Sequence, residues 1–180
     1  MVLDEIIKSC IAGDSKAQRE LYDSYSRQLY GCCLRYASGY DEAQDILQDS
    51  FITIFSKLEQ YNFKGSFEGW CKRVTVNTAL MRYRGTKVYE LINEEHLQSD
   101  DEVVEDDDSM GIDLLMKFIH ELPDRYRMCF TLYAIDGYSH REIAKMMEVT
   151  EGTSKSNVAR ARQQLKVEIT KWRCKNSSAS

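Results

Sequence analysis

Tyr138-Ser139-His140-Arg141-Glu142-Ile143-Ala144-Lys145-Met146-Met147-Glu148-Val149-Thr150-Glu151-Gly152-Thr153-Ser154-Lys155-Ser156-Asn157-Val158-Ala159-Arg160-Ala161-Arg162-Gln163-Gln164-Leu165 reads as a helix, a tight break and a second helix with a polar, basic outer face. Ser139 followed three residues later by Glu142 forms a capping box, which predicts a short helix running to about Met147. The break falls at Glu148-Val149, and Thr150 caps a second helix that opens at Glu151 and continues past Leu165. At about 100° per residue, Ser154, Val158, Ala161 and Leu165 share the inward side, while Gly152, Ser156, Arg160 and Gln163 lie opposite. Lys155 and Ala159 flank the outward face on one edge, and Thr153, Asn157 and Gln164 on the other. A helix-turn-helix presents the start of its second helix to base edges, where Arg, Asn, Ser and Thr read hydrogen-bond patterns and Lys meets phosphate. The same pattern also suits the solvated face of an ordinary helical hairpin.

Composition limits what surrounds this segment. The 180 residues are 43% hydrophobic, enough for a core, and a single proline with nine glycines leaves little material for a turn-rich β fold. A mostly helical protein follows. No apolar run of about eighteen residues exists, and the acidic N-terminal stretch is unlike a signal peptide, so a cytoplasmic location is expected. Cys10, Cys32, Cys33, Cys71, Cys129 and Cys174 show no zinc-type spacing and read as buried small hydrophobes. His96, His120 and His140 are isolated, and no Ser, Cys or carboxylate stands in a catalytic constellation. The expectation is a non-enzyme with no cofactor, no metal and no small-molecule substrate.

Net charge is −5, which at first argues against nucleic acid, but its distribution matters more. Nine acids lie between Asn93 and Ser109 with no Lys or Arg among them, so elsewhere 24 basic residues face 20 acidic ones. Nine like charges without apolar periodicity resist packing, which marks 88–109 as a flexible acidic linker. Binding depends on the local field, so a basic face can work beyond a screened linker. The expected fold is all-α: two small helical domains joined by that linker, one at 1–87, the other a four-helix unit with a helix-turn-helix at 110–175, and a disordered tail at 176–180.

In the first domain, Leu21, Tyr25, Leu29, Cys32 and Tyr36 keep helical spacing behind the start signal Gly13-Asp14-Ser15. Leu47, Phe51, Ile54, Phe55 and Leu58 set a second helix, whose opposite face carries Asp45, Asp49, Ile52 and Ser56 with Gln48 at its edge. Ile52 on that acidic face hints at a protein partner, although single exposed apolar residues are common. After a loop holding Tyr61, Asn62, Phe63, Lys64 and Gly65, a third helix begins near Ser66 and carries Phe67, Trp70, Cys71, Val74 and Leu80. Its polar positions include Lys72, Arg73, Asn77, Arg82 and Arg84. Aromatics beside cations suit unstacked bases on a tracked backbone. Phe67 and Trp70 read better as core, leaving Asn62 and Phe63 as the candidates for base contact. In the second domain, Leu114, Leu115, Phe118, Ile119 and Leu122 make one helix, Pro123 breaks it, and Arg125 to Ile135 makes another that Gly137 stops.

Taken together and in order, these segments resemble the bacterial extracytoplasmic-function sigma factors over nearly the whole chain. Asp41-Glu42-Ala43-Gln44-Asp45-Ile46-Leu47-Gln48-Asp49-Ser50-Phe51-Ile52-Thr53-Ile54-Phe55 is similar to the helix with which that family grips the clamp of RNA polymerase. Phe63-Lys64-Gly65-Ser66-Phe67-Glu68-Gly69-Trp70, with Arg73 and Asn77-Thr78-Ala79-Leu80, resembles the loop and helix that melt and hold the minus-ten element. Leu122-Pro123-Asp124-Arg125-Tyr126-Arg127 and Gly137 to Ala144 resemble the opening of the second domain, and Gly152 to Arg162 the helix that reads the minus-thirty-five element. Two positions depart from the pattern: Ser154 stands where an apolar residue is usual, and Asn157 where a basic one is frequent.

The resemblance implies a non-catalytic specificity subunit that directs core RNA polymerase to a promoter. Thr153, Lys155, Ser156, Asn157 and Arg160 would then read duplex DNA. Asn62, Phe63 and Lys64 would accept an extruded base, and Lys72, Arg73, Asn77, Arg82 and Arg84 would hold the melted strand. Asp45, Gln48, Asp49 and Ile52 would dock onto polymerase. Control by an anti-sigma factor, often membrane-tethered, is also implied. Two other readings stay open: a helix-turn-helix regulator that binds a palindrome without polymerase, and an interaction protein that uses the clamp-like helix without opening DNA.

Overall fold

Gly13 at φ +85° turns the chain out of helix α1, Leu3–Ile11, and Asp14 then caps helix α2, Ser15–Tyr36, its Oδ1 accepting from Lys16 N at 2.9 Å. The computed structural model describes residues 3–86 and 111–177; the acidic linker expected at 88–109 lies outside them. Helix α1 precedes the first helix that the Gly13-Asp14-Ser15 start signal predicts, and it buries Ile6, Ile7 and Cys10. The chain divides into two compact units, Met1–Gly85 and Thr86–Ser180, and no strand occurs among the described residues.

In the first unit α2 packs on α1 and on helix α3, Tyr40–Lys57. Ala43, Ile46, Leu47, Ser50, Phe51 and Ile54 recur on α3 at alternating intervals of three residues and one and are buried, which leaves Asp45, Gln48 and Ile52 on the open side. Glu42 secures the start of α3 by accepting from both Ser38 N and Ser38 Oγ at 2.6 Å. A single 3-10 turn, Leu58–Gln60, ends it. Helix α4, Phe67–Thr86, begins after Ser66, whose Oγ accepts from Gly69 N at 3.2 Å. Its inward positions include Thr75 and Thr78, whose hydroxyls are satisfied by the carbonyls of Cys71 and Val74 at 3.0 and 2.9 Å.

The second unit has the four expected helices, α5 Ile112–Glu121, α6 Asp124–Phe130, α7 His140–Met147 and α8 Glu151–Ser177. Phe118, Ile119, Leu122, Tyr126, Ala161 and Leu165 form a core shared by α5, α6 and α8. Arg127 is 1% exposed and lies against the break between α5 and α6, donating to Leu122 O at 2.7 Å, to His120 O at 3.2 Å and to the Asp124 carboxylate. The chain does not continue α-helical to Ile135 as its periodicity suggested. Thr131–Ile135 widens into a π turn, with Asp136 N donating to Thr131 O at 3.0 Å, before Gly137 at φ +76°. At the far end α8 runs to Ser177, two residues into the stretch expected to fray, with Asn176 Nδ2 donating to Trp172 O at 3.0 Å.

Five cysteines are buried as expected, but Cys174 is exposed on the last turns of α8. Burial pushes the thiols of Cys33 and Cys71 up to about 12. Among the described residues no helix is long and apolar enough to cross a membrane.

Candidate nucleic-acid interface

The loop between α3 and α4 is held in one shape by short contacts. Asn62 Oδ1 accepts from Lys64 N at 3.1 Å, and the buried Tyr61 donates its hydroxyl to Gly65 O at 3.0 Å. These contacts fix Phe63 at φ +57°, a left-handed backbone that costs a bulky residue about 1 kcal/mol or more. The strained residue is not buried: its ring is 42% exposed, with its centroid 5.2 Å from that of Tyr61. Below it Tyr61 meets Phe67 edge-on at 5.0 Å, Phe67 stacks on Trp70 at 5.7 Å, and Tyr25 from α2 closes the cluster against Phe67 at 5.3 Å. Phe67 is therefore core, as read, while Trp70 is half-buried at the edge of the cluster. Asn62 and Lys64 are exposed beside the Phe63 ring.

The cations of α4 do not form one strip. At about 100° per residue Arg73, Asn77 and Arg84 fall within about 40° of each other, and the first two are exposed with Arg84 half-buried. Arg82 lies half a turn away and faces α3. Its Nη1 donates to Asp49 Oδ2 at 2.5 Å and its Nη2 to Asp45 Oδ2 at 3.3 Å. Arg82 therefore points away from Arg73 and Asn77 and toward the acidic face of α3, where Gln48 and the 64%-exposed Ile52 also stand. Lys72 pairs instead with Glu68 one turn back on its own helix, at 2.5 Å.

The second candidate face is set by three caps. Ser139 and Glu142 form a capping box, Glu142 accepting from Ser139 N at 2.8 Å and Ser139 Oγ accepting from Glu142 N at 3.3 Å, and Ser139 Oγ also donates to the Glu142 carboxylate at 2.8 Å. The bonds from Ser139 hold the Glu142 carboxyl below its ordinary value of 4.5. Glu148 takes the left-handed conformation that ends α7, and Thr150 Oγ1 accepts from Thr153 N at 3.0 Å to start α8. Ser154, inward as expected, is fully buried and meets His140 Nδ1 at 3.0 Å, so a polar contact fastens α7 to α8. Tyr133 stacks on that imidazole at 4.3 Å, and the Arg162 guanidinium lies 5.5 Å from the ring centroid.

On α8 Lys155 is exposed and Thr153 and Ser156 are half-exposed. Asn157 is buried, its Nδ2 donating to Cys129 Sγ at 3.6 Å, which contradicts the outward edge assigned to it. Three residues after Ser154 and four before Ala161, it lies on the inward stripe, and its amide finds a partner there. Arg160 is half-buried, with Nη1 donating to Tyr126 Oη on α6 at 3.1 Å. Sequence reading gave Tyr126 no part in the site, because nothing local links positions 34 apart.

Residues 21–88 match the description Sigma-70 region 2, and residues 112–165 match Sigma-70, region 4. Over 171 residues the chain is 30% identical to the ECF RNA polymerase sigma-E factor of Haemophilus influenzae, covering 87% of this chain and 89% of that one. The chain belongs to the ECF RNA polymerase sigma factors. It is also 26% identical over 182 residues to the ECF RNA polymerase sigma factor SigW of Bacillus subtilis, covering 94% and 97% of the two chains. A solved structure with a similar fold is the sigma factor RpoE in complex with the anti-sigma factor NepR from Bartonella quintana, at 21% identity and a TM-score of 0.52, covering 84% and 96%. As an ECF sigma factor the chain recognises promoters for RNA polymerase. Region 2 contains the Phe63 loop, the exposed α4 stripe and the acidic α3 face; region 4 contains α7 and the first half of α8. Helix α1 and the last three turns of α8 fall outside both matched stretches.

Proposed function

We propose that this sigma factor opens its promoter by capturing an extruded base on Phe63, with Asn62 and Lys64 beside it and Arg73, Asn77 and Arg84 holding the melted strand. The observation that supports this is the aromatic ring kept in a strained backbone at the edge of a rigid aromatic cluster and left largely open to solvent there. Flipping a base costs a few kcal/mol, and stacking on an aromatic ring returns about 1–3 kcal/mol. Lys72 contributes charge nearby from its pair with Glu68. The acidic α3 face of Asp45, Gln48, Asp49 and Ile52, with Arg82 bridging its carboxylates, docks on core polymerase. Thr153, Lys155 and Ser156 meet duplex bases, and Arg160 stands at the edge of the same face.

The acidic stretch 88–109 serves as the tether between the two readers, so binding of one raises the effective concentration of the other. The factor works in the cytoplasm, where its polymerase works, and an anti-sigma factor holds it inactive, as the complex of the sigma factor RpoE with the anti-sigma factor NepR suggests. The test is promoter opening by holoenzyme carrying Phe63→Gly. Glycine accepts the φ +57° backbone, so stability stays within about 1 kcal/mol. Core binding and closed-complex formation stay intact, while permanganate-detected strand opening falls by about 5- to 100-fold. Unchanged opening refutes the assignment of Phe63.

A further inference from the structure

Arg160 was read as a groove-facing residue, yet its guanidinium is tied to the neighbouring helix rather than extended. Its Nη1 donates to Tyr126 Oη at 3.1 Å, and Nη2 of Arg125 donates to the same oxygen at 3.2 Å. The Arg125 guanidinium also lies over the Tyr126 ring, 4.9 Å from its centroid. Tyr126 is itself buried in the core of the second unit, so the phenol is a fixed post. Burial alone would raise the phenol above its ordinary value of 10.0; hydrogen bonds from Arg160 and then Arg125, with their charges, outweigh it and hold the phenol lower. Two guanidiniums gathered on one neutral oxygen repel each other, and an anion that accepts from both relieves that repulsion.

We infer that Arg125, Tyr126 and Arg160 form a clamp for a single phosphodiester of the promoter backbone, and that Arg160 positions the duplex instead of reading a base. The inference rests on the reading that the first half of α8 enters the major groove. Its logic is one of position along that helix. Base-reading side chains of a helix-turn-helix cluster at the start of the recognition helix, here Thr153, Lys155 and Ser156, whereas Arg160 comes more than a turn later, at the seam with α6. A planar fork with several donors matches the two free oxygens of a phosphodiester, and two such forks held by one phenol fix the duplex in register. Tyr126 is then a positioning residue: it touches no DNA and sets where both forks point.

The test uses full-length chain bound to core RNA polymerase, on the duplex that this holoenzyme selects from a random-sequence promoter library. Arg125→Gln and Arg160→Gln each lower affinity about tenfold and flatten the salt dependence by about one phosphate contact, with base preference unchanged at every position. Because one phosphate is shared, the double variant loses little more than either single. Tyr126→Phe weakens binding in the wild-type background and has no effect in the Arg160→Gln background. Arg125 is partly exposed and outside the core, so its variant keeps the clamp testable if Tyr126→Phe lowers stability. An Arg125→Gln chain with unchanged affinity, or an Arg160→Gln chain that relaxes preference at one base pair while keeping its salt slope, overturns the clamp. Lys155→Gln reports separately on the groove reading: if it alters neither affinity nor preference, the placement of α8 fails, whatever Arg125 does.

Discussion

Replacing Arg127 by alanine tests how the second unit closes. The side chain is 1% exposed and donates to Leu122 O and His120 O, carbonyls at the end of α5 just before the break at Pro123. It also neutralises Asp124. A hydrogen bond from a charged donor contributes about 1.5–3 kcal/mol, and removing one partner of a buried charged set costs about 3–5 kcal/mol in all. That is a large part of the total stability of about 5–15 kcal/mol that a small domain has. At about 4–8 °C per kcal/mol for a unit of this size, melting of the second unit falls by roughly 12–40 °C. The assay is thermal unfolding of the full chain, with the first unit as internal reference. Arg127→Met separates packing from polarity, because it restores most of the volume and none of the donors. If Arg127→Met melts near wild type, or Arg127→Ala shifts by under about 4 °C, the carbonyls are satisfied without the guanidinium and the reasoning is wrong.

Other perturbations reach different parts of the chain. Arg82→Gln frees Asp45 and Asp49 from their bridge and lowers affinity for core polymerase by about 3- to 10-fold through lost preorganisation, while binding of a single-stranded oligonucleotide is unchanged; the reverse pattern returns Arg82 to the strand surface. The Glu142 carboxyl titrates below 4.5 in the folded chain, so the proton is held less tightly there than in the unfolded chain. Its contribution is complete above that value and is lost as pH falls through the lower folded one; circular dichroism of the wild type shows this acid-side loss, and Glu142→Gln removes its pH dependence. Alkylation of the native chain labels Cys174 first. Cys33 and Cys71, with thiols near 12, carry a thiolate fraction roughly a thousandfold below that of a thiol at the ordinary 9.0, and mass spectrometry showing early label on either contradicts their burial.

Local signals carried well from sequence to structure, and pairings between distant residues did not. Ser139 with Glu142, Thr150 as a cap, Gly137 at its left-handed turn and the inward run Ser154, Val158, Ala161, Leu165 were all legible because each is decided within a few residues. Asn157 was misplaced by weighting its polarity above its spacing, since an amide goes inside when a partner such as Cys129 waits there. Arg82 was grouped with Arg73 by charge although half a helical turn separates them; only the carboxylates on α3 reveal where it points. The π turn at Thr131–Ile135 left no local mark, because a change of helical pitch answers to packing and hydrogen bonding beyond the segment. The strained loop was half visible: Asn62, Phe63 and Gly65 suggested a turn, but not that the aromatic residue would take the left-handed position.

The inward turn of Asn157 reaches beyond its own bond to Cys129. With the start of α8 in the major groove as proposed, an amide turned inward leaves fewer letters of the upstream element to be spelled out by side chains, and the small hydroxyls and flexible lysine that remain tolerate more than one spelling. Discrimination then shifts toward how stiff or narrow a given DNA tract is. On that placement, promoters that share little upstream lettering but have common mechanics are bound alike.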